Sequence, residues 1–266
     1  MTGASGDAPL AGKVAVVTGA GGGIGRAITL AYIRAGASVV GVGRSADPLA
    51  ETVRIAHDMG GTITVLSADV RDGEALAAIA KRVEDEHGQV DVLVANSGIG
   101  GPMLPLWEVP VDGWDDTIAT NLTGVFLTCR AFVPGMITRR RGSIVVIGSI
   151  TGKRPVATRA AYASSKIGLV GLVRTLALDA GKFGIRANLI SPGPVAGARL
   201  RGVLDAQVQL TGRSLTELEQ DLLVQLALPQ LTEAQDVADC AVFLASESSR
   251  AISGQDINVA AGMVMY

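Results

Sequence analysis

Seven short runs of β-branched and apolar residues recur along this chain, most of them parted by longer stretches of helical periodicity. They are KVAVVT at 13–18, SVVGVG at 38–43, TITVLS at 62–67, VDVLVA at 90–95, SIVVIG at 143–148, IRANLI at 185–190 and DINVA at 256–260. Within them apolar residues follow one another, without the alternation of a strand that is wet on one side. A strand apolar on both faces is covered on both faces, which is the situation of parallel strands joined by helical crossovers. The pattern predicts an α/β fold: a doubly wound, seven-stranded parallel sheet with helices on both faces, in one domain over residues 12–266. Composition agrees, because 48% of the residues are hydrophobic, only 3% are aromatic and 34 are glycine. Such a mixture suits helices packed closely on a sheet. The opening MTGASGDAPLA, residues 1–11, reads as a loose tail.

Charge and cysteine usage narrow the function. The net charge is −2, so nothing calls for nucleic acid or an anionic membrane. The one dense basic run, Arg139 to Arg141, solvates the end of a long helix. Cys129 and Cys240 lie in apolar helical patterns and read as buried free thiols, without the further ligands that a metal needs. No apolar run approaches the ~18 residues of a membrane span, and no signal segment opens the chain. The expectation is a cytoplasmic protein with a small-molecule partner. His57 and His87 lie in polar helix ends far from any motif.

The regular spacing breaks once. Between strands six and seven the chain is far longer than one crossover requires, and residues 197–230 read as two helices with a polar hinge around Thr211–Ser214. Ligands of open α/β sheets bind outside the carboxyl ends of the strands. A helical flap there is expected to cover a substrate.

The first strand runs into TGAGGGIGRAITLAYIRAG, a strand, glycine cluster and helix in succession. Gly19, Gly23 and Gly25 form a G-x-x-x-G-x-G pattern, with Gly21, Gly22 and Ile24 between them. Glycines let backbone approach a pyrophosphate, and a helix N-terminus offers free N–H groups and a positive dipole. The second strand ends in Gly43, Arg44 and Ser45, where a carboxylate would hydrogen-bond an adenosine ribose. None stands there. A guanidinium available to a 2′-phosphate favours NADP, with NAD as the alternative. Arg44 can equally be a surface residue stacked on adenine. Asp69 and Val70 follow strand three, and Asn96, Ser97 and Gly98 follow strand four. Both groups fall where a bound adenosine rests. Asp69 accepts from the adenine amino group or else caps the next helix.

In AAYASSK, Tyr162 and Lys166 stand one helical turn apart among small residues. A phenol of pKa ~10 is a poor acid–base group at neutral pH, and an ammonium one turn away makes its phenolate easier to form. With the glycine loop, the chain resembles a short-chain dehydrogenase/reductase from Lys13 onward. The family's T-G-x-x-x-G-x-G matches Thr18 to Gly25. Its active-site serine matches Ser149 in VVIGSITG, its asparagine matches Asn121 in NLTGVF, and its Pro-Gly turn matches Pro192-Gly193 in SPGPV.

The resemblance implies an NAD(P)-dependent oxidoreductase that interconverts a secondary alcohol and a ketone, with Tyr162 as acid and base. Ser149 would then hold the substrate oxygen, and Lys166 would bond the nicotinamide ribose. Asn121 would hold a water through its backbone carbonyl. Pro192 and Gly193 would wall the nicotinamide, and the Val195 amide would meet its carboxamide. It also implies a homotetramer, or a dimer, with the helices of Asn121 and Tyr162 at an interface. A 3-oxoacyl-carrier-protein reductase and a non-catalytic dinucleotide sensor are the alternatives.

The sequence departs from the family in three places. Ala95-Asn96-Ser97-Gly98 lacks the first asparagine of N-N-A-G, Gly197 replaces a threonine that touches the carboxamide, and Val259-Ala260-Ala261-Gly262 replaces V-D-G-G. Substrate groups are expected from Ile99 to Leu106, from the segment after Ser149 and from the flap. Trp107 lines the pocket or seals its loop, and Trp114 joins the core. Thr151, Lys153 and Arg154 form a cationic wall or plain surface charges. Arg159 has the same ambiguity.

Overall fold

The computed structural model describes residues 8–266. Its strands are β1 (Val14–Thr18), β2 (Ser38–Gly43), β3 (Ile63–Ser67), β4 (Val92–Ala95), β5 (Gly142–Ile147), β6 (Ile185–Pro192) and β7 (Asp256–Val259). They form one parallel sheet in the order β3-β2-β1-β4-β5-β6-β7. The helices are α1 (Gly23–Arg34), α2 (Ala46–Asp58), α3 (Gly73–His87), α4 (Val111–Ile118), α5 (Gly124–Arg139), α6 (Ala160–Gly181), α7 (Ala198–Thr211), α8 (Leu215–Leu223) and α9 (Ala234–Ala245).

Two cores explain why the strands are apolar throughout. Val14 and Val16 of β1, Leu93 and Ala95 of β4, and Ile144 and Val146 of β5 face one buried cluster, which α3, α5 and α6 cover. Their neighbours Ala15, Val17, Val92, Val94, Val145 and Ile147 face the other, under α1 and α9. Successive side chains of a strand point to opposite faces, so both sets must be apolar. Strand order reverses between β1 and β4, which opens a crevice at their carboxyl ends.

Several local details differ from expectation. Residues 1–7 of the expected tail lie outside the described residues. Within its remainder Leu10 is fully buried, and its N–H donates to the Ala35 carbonyl at 2.9 Å. The cap of α3 is Asp72, which accepts from the Glu74 and Ala75 amides, and not Asp69. Asn121 lies in a π-turn, Ala119–Thr123, that joins α4 to α5. Such turns interrupt helices mostly at functional sites.

The flap segment forms α7 and α8, and α8 begins with a Ser214–Glu217 capping box. Each buries one large residue, Leu204 and Leu218. Few buried apolar contacts leave such a segment cheap to open. Both cysteines are free, with burial pushing the Cys129 thiol up to about 12 and the Cys240 thiol up to about 11. Among the described residues no helix is long and apolar enough to cross a membrane.

Candidate active site

The glycine loop leaves β1 at Thr18 and enters α1 at Gly23. Gly19 and Gly23 adopt φ of 69° and 50°, in the left-handed region that favours glycine. A Cβ on Gly25 would stand 2.0 Å from the Gly19 carbonyl, so the helix start can lie this close to the strand end only without a side chain. Gly22 caps α1 without a side-chain hydrogen bond, and no acidic residue occupies the first turn. Nothing stands within 4 Å of a Cβ built on Gly22 or Gly23. Uncapped amides, a positive helix end and open space fit a dinucleotide pyrophosphate.

Arg26 and Thr52, which carry no signal of their own, hold this loop together with Thr18 and Asn96. Arg26 donates from Nη2 to the Gly21 carbonyl at 2.6 Å and from Nε to Thr52 Oγ1 at 3.0 Å. Thr52 Oγ1 donates to the Ala20 carbonyl at 3.0 Å. Thr18 Oγ1 accepts from the Asn96 and Ser97 amides at 3.0 and 3.3 Å. Asn96 Nδ2 donates back to the Thr18 and Gly19 carbonyls at 3.0 and 3.3 Å. Its amide therefore ties the loop to β4. Ile24, in the first turn of α1, packs against the core.

On the adenosine side, Arg44 and Ser45 are exposed at the end of β2, and Val70 is buried against Gly124. Asp69 is engaged by Arg71, which donates from Nη2 at 2.6 Å and from its backbone N–H at 2.9 Å. Arg44 adds a looser ion pair at 3.7 Å. The hydrogen-bonded Arg71 guanidinium outweighs burial and holds the Asp69 carboxyl below the usual carboxylate range.

Four catalytic candidates come together at the carboxyl ends of β4 and β5. Ser149 follows β5, and its Oγ accepts from the Thr151 amide at 3.1 Å. Tyr162 and Lys166 point from α6 into the same buried space. Lys166 Nζ donates to the Ile147 carbonyl at 2.9 Å and lies 5.8 Å from the Tyr162 ring centre. Asn121 Oδ1 accepts from the Ile99 amide at 2.8 Å, while Nδ2 donates to the Ile99 carbonyl at 3.0 Å and to Ser165 Oγ at 3.1 Å. Ser165 Oγ donates to the Tyr162 carbonyl at 2.7 Å. The π-turn thus clamps the loop after β4 to α6. A Cβ on Gly98 would stand 3.2 Å from Asn121 Oδ1 and 3.6 Å from Lys166 Nζ, so loop, turn and ammonium meet there. At β6, Pro192 is buried opposite Val259, and a Cβ on Gly193 would stand 2.7 Å from Ala260 Cα. Val195 bridges to Thr232 at the root of the flap.

The electrostatics favour an acidic phenol. Burial opposes ionisation of Tyr162, but Lys166, Arg199, the Ser149 hydroxyl and Arg159 together bring it below the usual tyrosine range. Burial also holds the Lys166 ammonium below the usual lysine range; Tyr162 opposes that shift and Arg199 adds to it.

The expected substrate wall is built differently. Lys153 turns inward to Asp256 Oδ2 at 2.9 Å and to the Asn258 side chain, both on β7. Arg154 donates to Gln225 Oε1 at 3.0 Å. Neither is free to meet an anion. Trp107 neither lines a pocket nor seals its loop, being 85% exposed, and Trp114 is half-buried. Two arginines stand at the site instead. Arg159 lies over the Tyr162 ring at 4.5 Å, and Arg199 of α7 donates to the Gly98 carbonyl at 2.7 Å. Only long-range packing brings Arg199 here; its local sequence carries no such signal.

Fold and site define a dinucleotide-dependent protein with a phenol–ammonium pair beside the cofactor cradle. The family model "short chain dehydrogenase" matches residues 13–208. The 3-oxoacyl-[acyl-carrier-protein] reductase FabG of Salmonella typhimurium is 34% identical over 254 residues, covering 96% of this chain and 98% of its own length. NAD+-bound xylitol dehydrogenase superposes with a TM-score of 0.92 at 26% identity, over 95% of this chain and 99% of its own. An actinorhodin polyketide ketoreductase variant with NADPH superposes with a TM-score of 0.91 at 30% identity, over 96% of this chain and 98% of its own. The chain belongs to the short-chain dehydrogenase family. It is an NAD(P)-dependent oxidoreductase acting on CH–OH and keto groups.

Proposed function

We propose that the protein reduces a ketone, or oxidises the matching secondary alcohol, with Tyr162 as the proton donor and acceptor. The observation that carries this reading is a buried phenol held between an ammonium and a hydroxyl at the mouth of the dinucleotide cradle. The bound dinucleotide supplies or accepts the hydride. Ser149 donates to the substrate oxygen and holds it at the phenol. In reduction, Tyr162 gives its proton to that oxygen as the carbonyl carbon gains hydride; in oxidation it takes the proton back. Lys166 stabilises the phenolate by its charge and bonds the nicotinamide ribose. Asn121 keeps the loop after β4 in place and holds a water through its backbone carbonyl, which connects Lys166 to solvent protons. Pro192, Gly193 and the Val195 amide border the nicotinamide, and α7 and α8 close over the substrate.

NADP is the preferred cofactor in this reading, with NAD as the alternative. No carboxylate ends β2, and Arg44 is exposed with only a 3.7 Å partner in Asp69. A guanidinium so weakly engaged is available to a 2′-phosphate. Arg44→Asp is expected to lower kcat/KM with NADP about 10- to 100-fold, the loss of a charge-assisted pair, while NAD is spared. Steady-state kinetics with both cofactors measures this; an unchanged ratio removes Arg44 as the phosphate reader.

The assembly is a homotetramer, or a dimer, through α5 and α6. Phe126, Ile167 and Leu178 are exposed on these helices at 48%, 46% and 83%. Light scattering is expected to return an oligomer, and a monomer would remove this reading. Similarity to FabG of Salmonella typhimurium favours a second reading, reduction of a 3-oxoacyl group on a carrier protein. An acidic carrier would need a basic rim at the site. Arg139 to Arg141 immediately precede β5, at the opposite end of the sheet. Arg139 donates to the Val90 carbonyl at 2.8 Å and Arg140 to the Lys182 carbonyl at 2.8 Å.

A further inference from the structure

Two guanidinium groups, those of Arg159 and Arg199, act on Tyr162, and no carboxylate among the described residues pairs with either. Arg159, Tyr162 and Lys166 are spaced so that all three share one face of the α6 path. Lys166 lies on the side of Gly98, where the loop after β4 and the π-turn meet. Arg159 lies over the phenol ring and against Gly100, where a Cβ would stand 3.6 Å from its Nη1. Gly100 is two residues further along the loop after β4 than Gly98. Arg159 is half-buried, and the charges bearing on it are those of Tyr162 and Arg199, with no carboxylate among them. Burial, its largest influence, holds the guanidinium below the usual arginine range; Tyr162 opposes this, and the like charge of Arg199 adds to it. Arg199 reaches in from the flap to the Gly98 carbonyl at 2.7 Å and forms no ion pair among the described residues.

An arginine partly removed from water normally stands in a paired arrangement, since its fork of donors matches carboxylate and phosphate oxygens. The exposed guanidiniums of Arg54, Arg71 and Arg213 are paired with carboxylates in that way. Half-buried Arg26 and Arg186 spend their donors on backbone carbonyls instead. Among the described residues half-buried Arg159 has neither a carboxylate partner nor a side-chain hydrogen bond, and Arg199, exposed on α7, meets only the Gly98 carbonyl. Both stand beside the phenol that a substrate must reach.

Resting on the dehydrogenase reading above, we propose that Arg159, joined by Arg199 from the flap, selects a small ketone or alcohol that carries a carboxylate or phosphate close to its reacting carbon. The anion neutralises both guanidiniums and holds α7 over the site. Arg159 is the fixed member, stacked on Tyr162, and Arg199 is the member carried by the moving segment. Binding of the anion therefore couples to closure.

The test is calorimetric binding to the enzyme loaded with oxidised dinucleotide, so that no turnover intervenes. The probes are pyruvate, acetoacetate and levulinate against their methyl esters, and dihydroxyacetone phosphate against dihydroxyacetone. At least one acid or phosphate is expected to bind about 10- to 100-fold tighter than its neutral counterpart, the range of hydrogen bonds to a charged group. The carboxylate and phosphate arms identify which anion is taken. Arg159→Gln should bring that ratio close to one, and Arg159→Lys should keep part of it. Retained dinucleotide binding shows that the variants fold. Equal binding of every charged and neutral pair, or a ratio untouched by Arg159→Gln, overturns the proposal. The dehydrogenase reading is judged separately, by absorbance of the reduced nicotinamide with neutral ketones. Turnover there without any anion preference would defeat this inference and leave that reading standing.

Discussion

Tyr162→Phe is expected to lower turnover about 10²- to 10⁴-fold, the range for loss of a positioned general acid, while dinucleotide affinity stays within a few-fold. The ring remains, so packing on α6 and the stack under Arg159 persist; only the proton-bearing oxygen goes. Turnover near that of the parent enzyme would remove Tyr162 from the reaction.

The pH profile gives an independent reading of the same group. Oxidation of the alcohol needs the phenolate, so turnover should rise with pH through an apparent pKa below the ordinary tyrosine value of ~10. Ketone reduction needs the protonated phenol and should fall through the same value. The sign follows from the balance at the site, where burial disfavours the anion and the surrounding cations with Ser149 favour it more strongly. Lys166→Met takes away the largest of those favourable influences and should move both limbs to higher pH. If the limbs stay where they were, the lysine does not set the acidity of the phenol.

The largest expected effect on stability lies outside the chemistry. Lys153→Met should destabilise the fold by about 3–5 kcal/mol, the range for breaking a buried ion pair by removing one partner. The side chains of Lys153 and Asp256 are 12% and 8% exposed, with 2.9 Å between Nζ and Oδ2. Loss of the ammonium leaves a carboxylate in the interior without its counter-charge. Replacing both partners, as in Lys153→Met with Asp256→Leu, should recover much of the loss, because no orphan charge then remains. Urea denaturation read by circular dichroism checks this: the midpoint should fall with an unchanged slope. A shift below about 1 kcal/mol would mean that the pair behaves as an exposed one. The pair joins the start of β7 to the turn that follows Ser149, so it also braces the serine.

The limits of local reading show at particular residues. The strand at residues 143–148 was legible because Ser143 to Ile147 serve two cores and must be apolar almost throughout. The glycine loop was legible because Gly19 and Gly25 meet at a distance that excludes side chains. Tyr162 and Lys166 were legible because one helical turn separates them. At Asp69 the carboxylate expected to meet adenine is also held by Arg71 two positions on, a pairing the strand-end position did not announce. Lys153 and Arg154 read as a cationic wall beside Ser149 or as plain surface charges, and both are engaged by residues far along the chain, at 256 and 225.

By itself, then, the order of residues determined the layers and the parallel sheet, since both follow from periodicity, and it set Tyr162 one helical turn from Lys166; Ser149 and Asn121 were named by the family resemblance. Tertiary structure alone decided which cations are spent inside the protein and which two, Arg159 and Arg199, stand at the site without a carboxylate partner among the described residues. A guanidinium on a long flexible stem finds its partner through contacts between distant segments, and no periodicity records that choice.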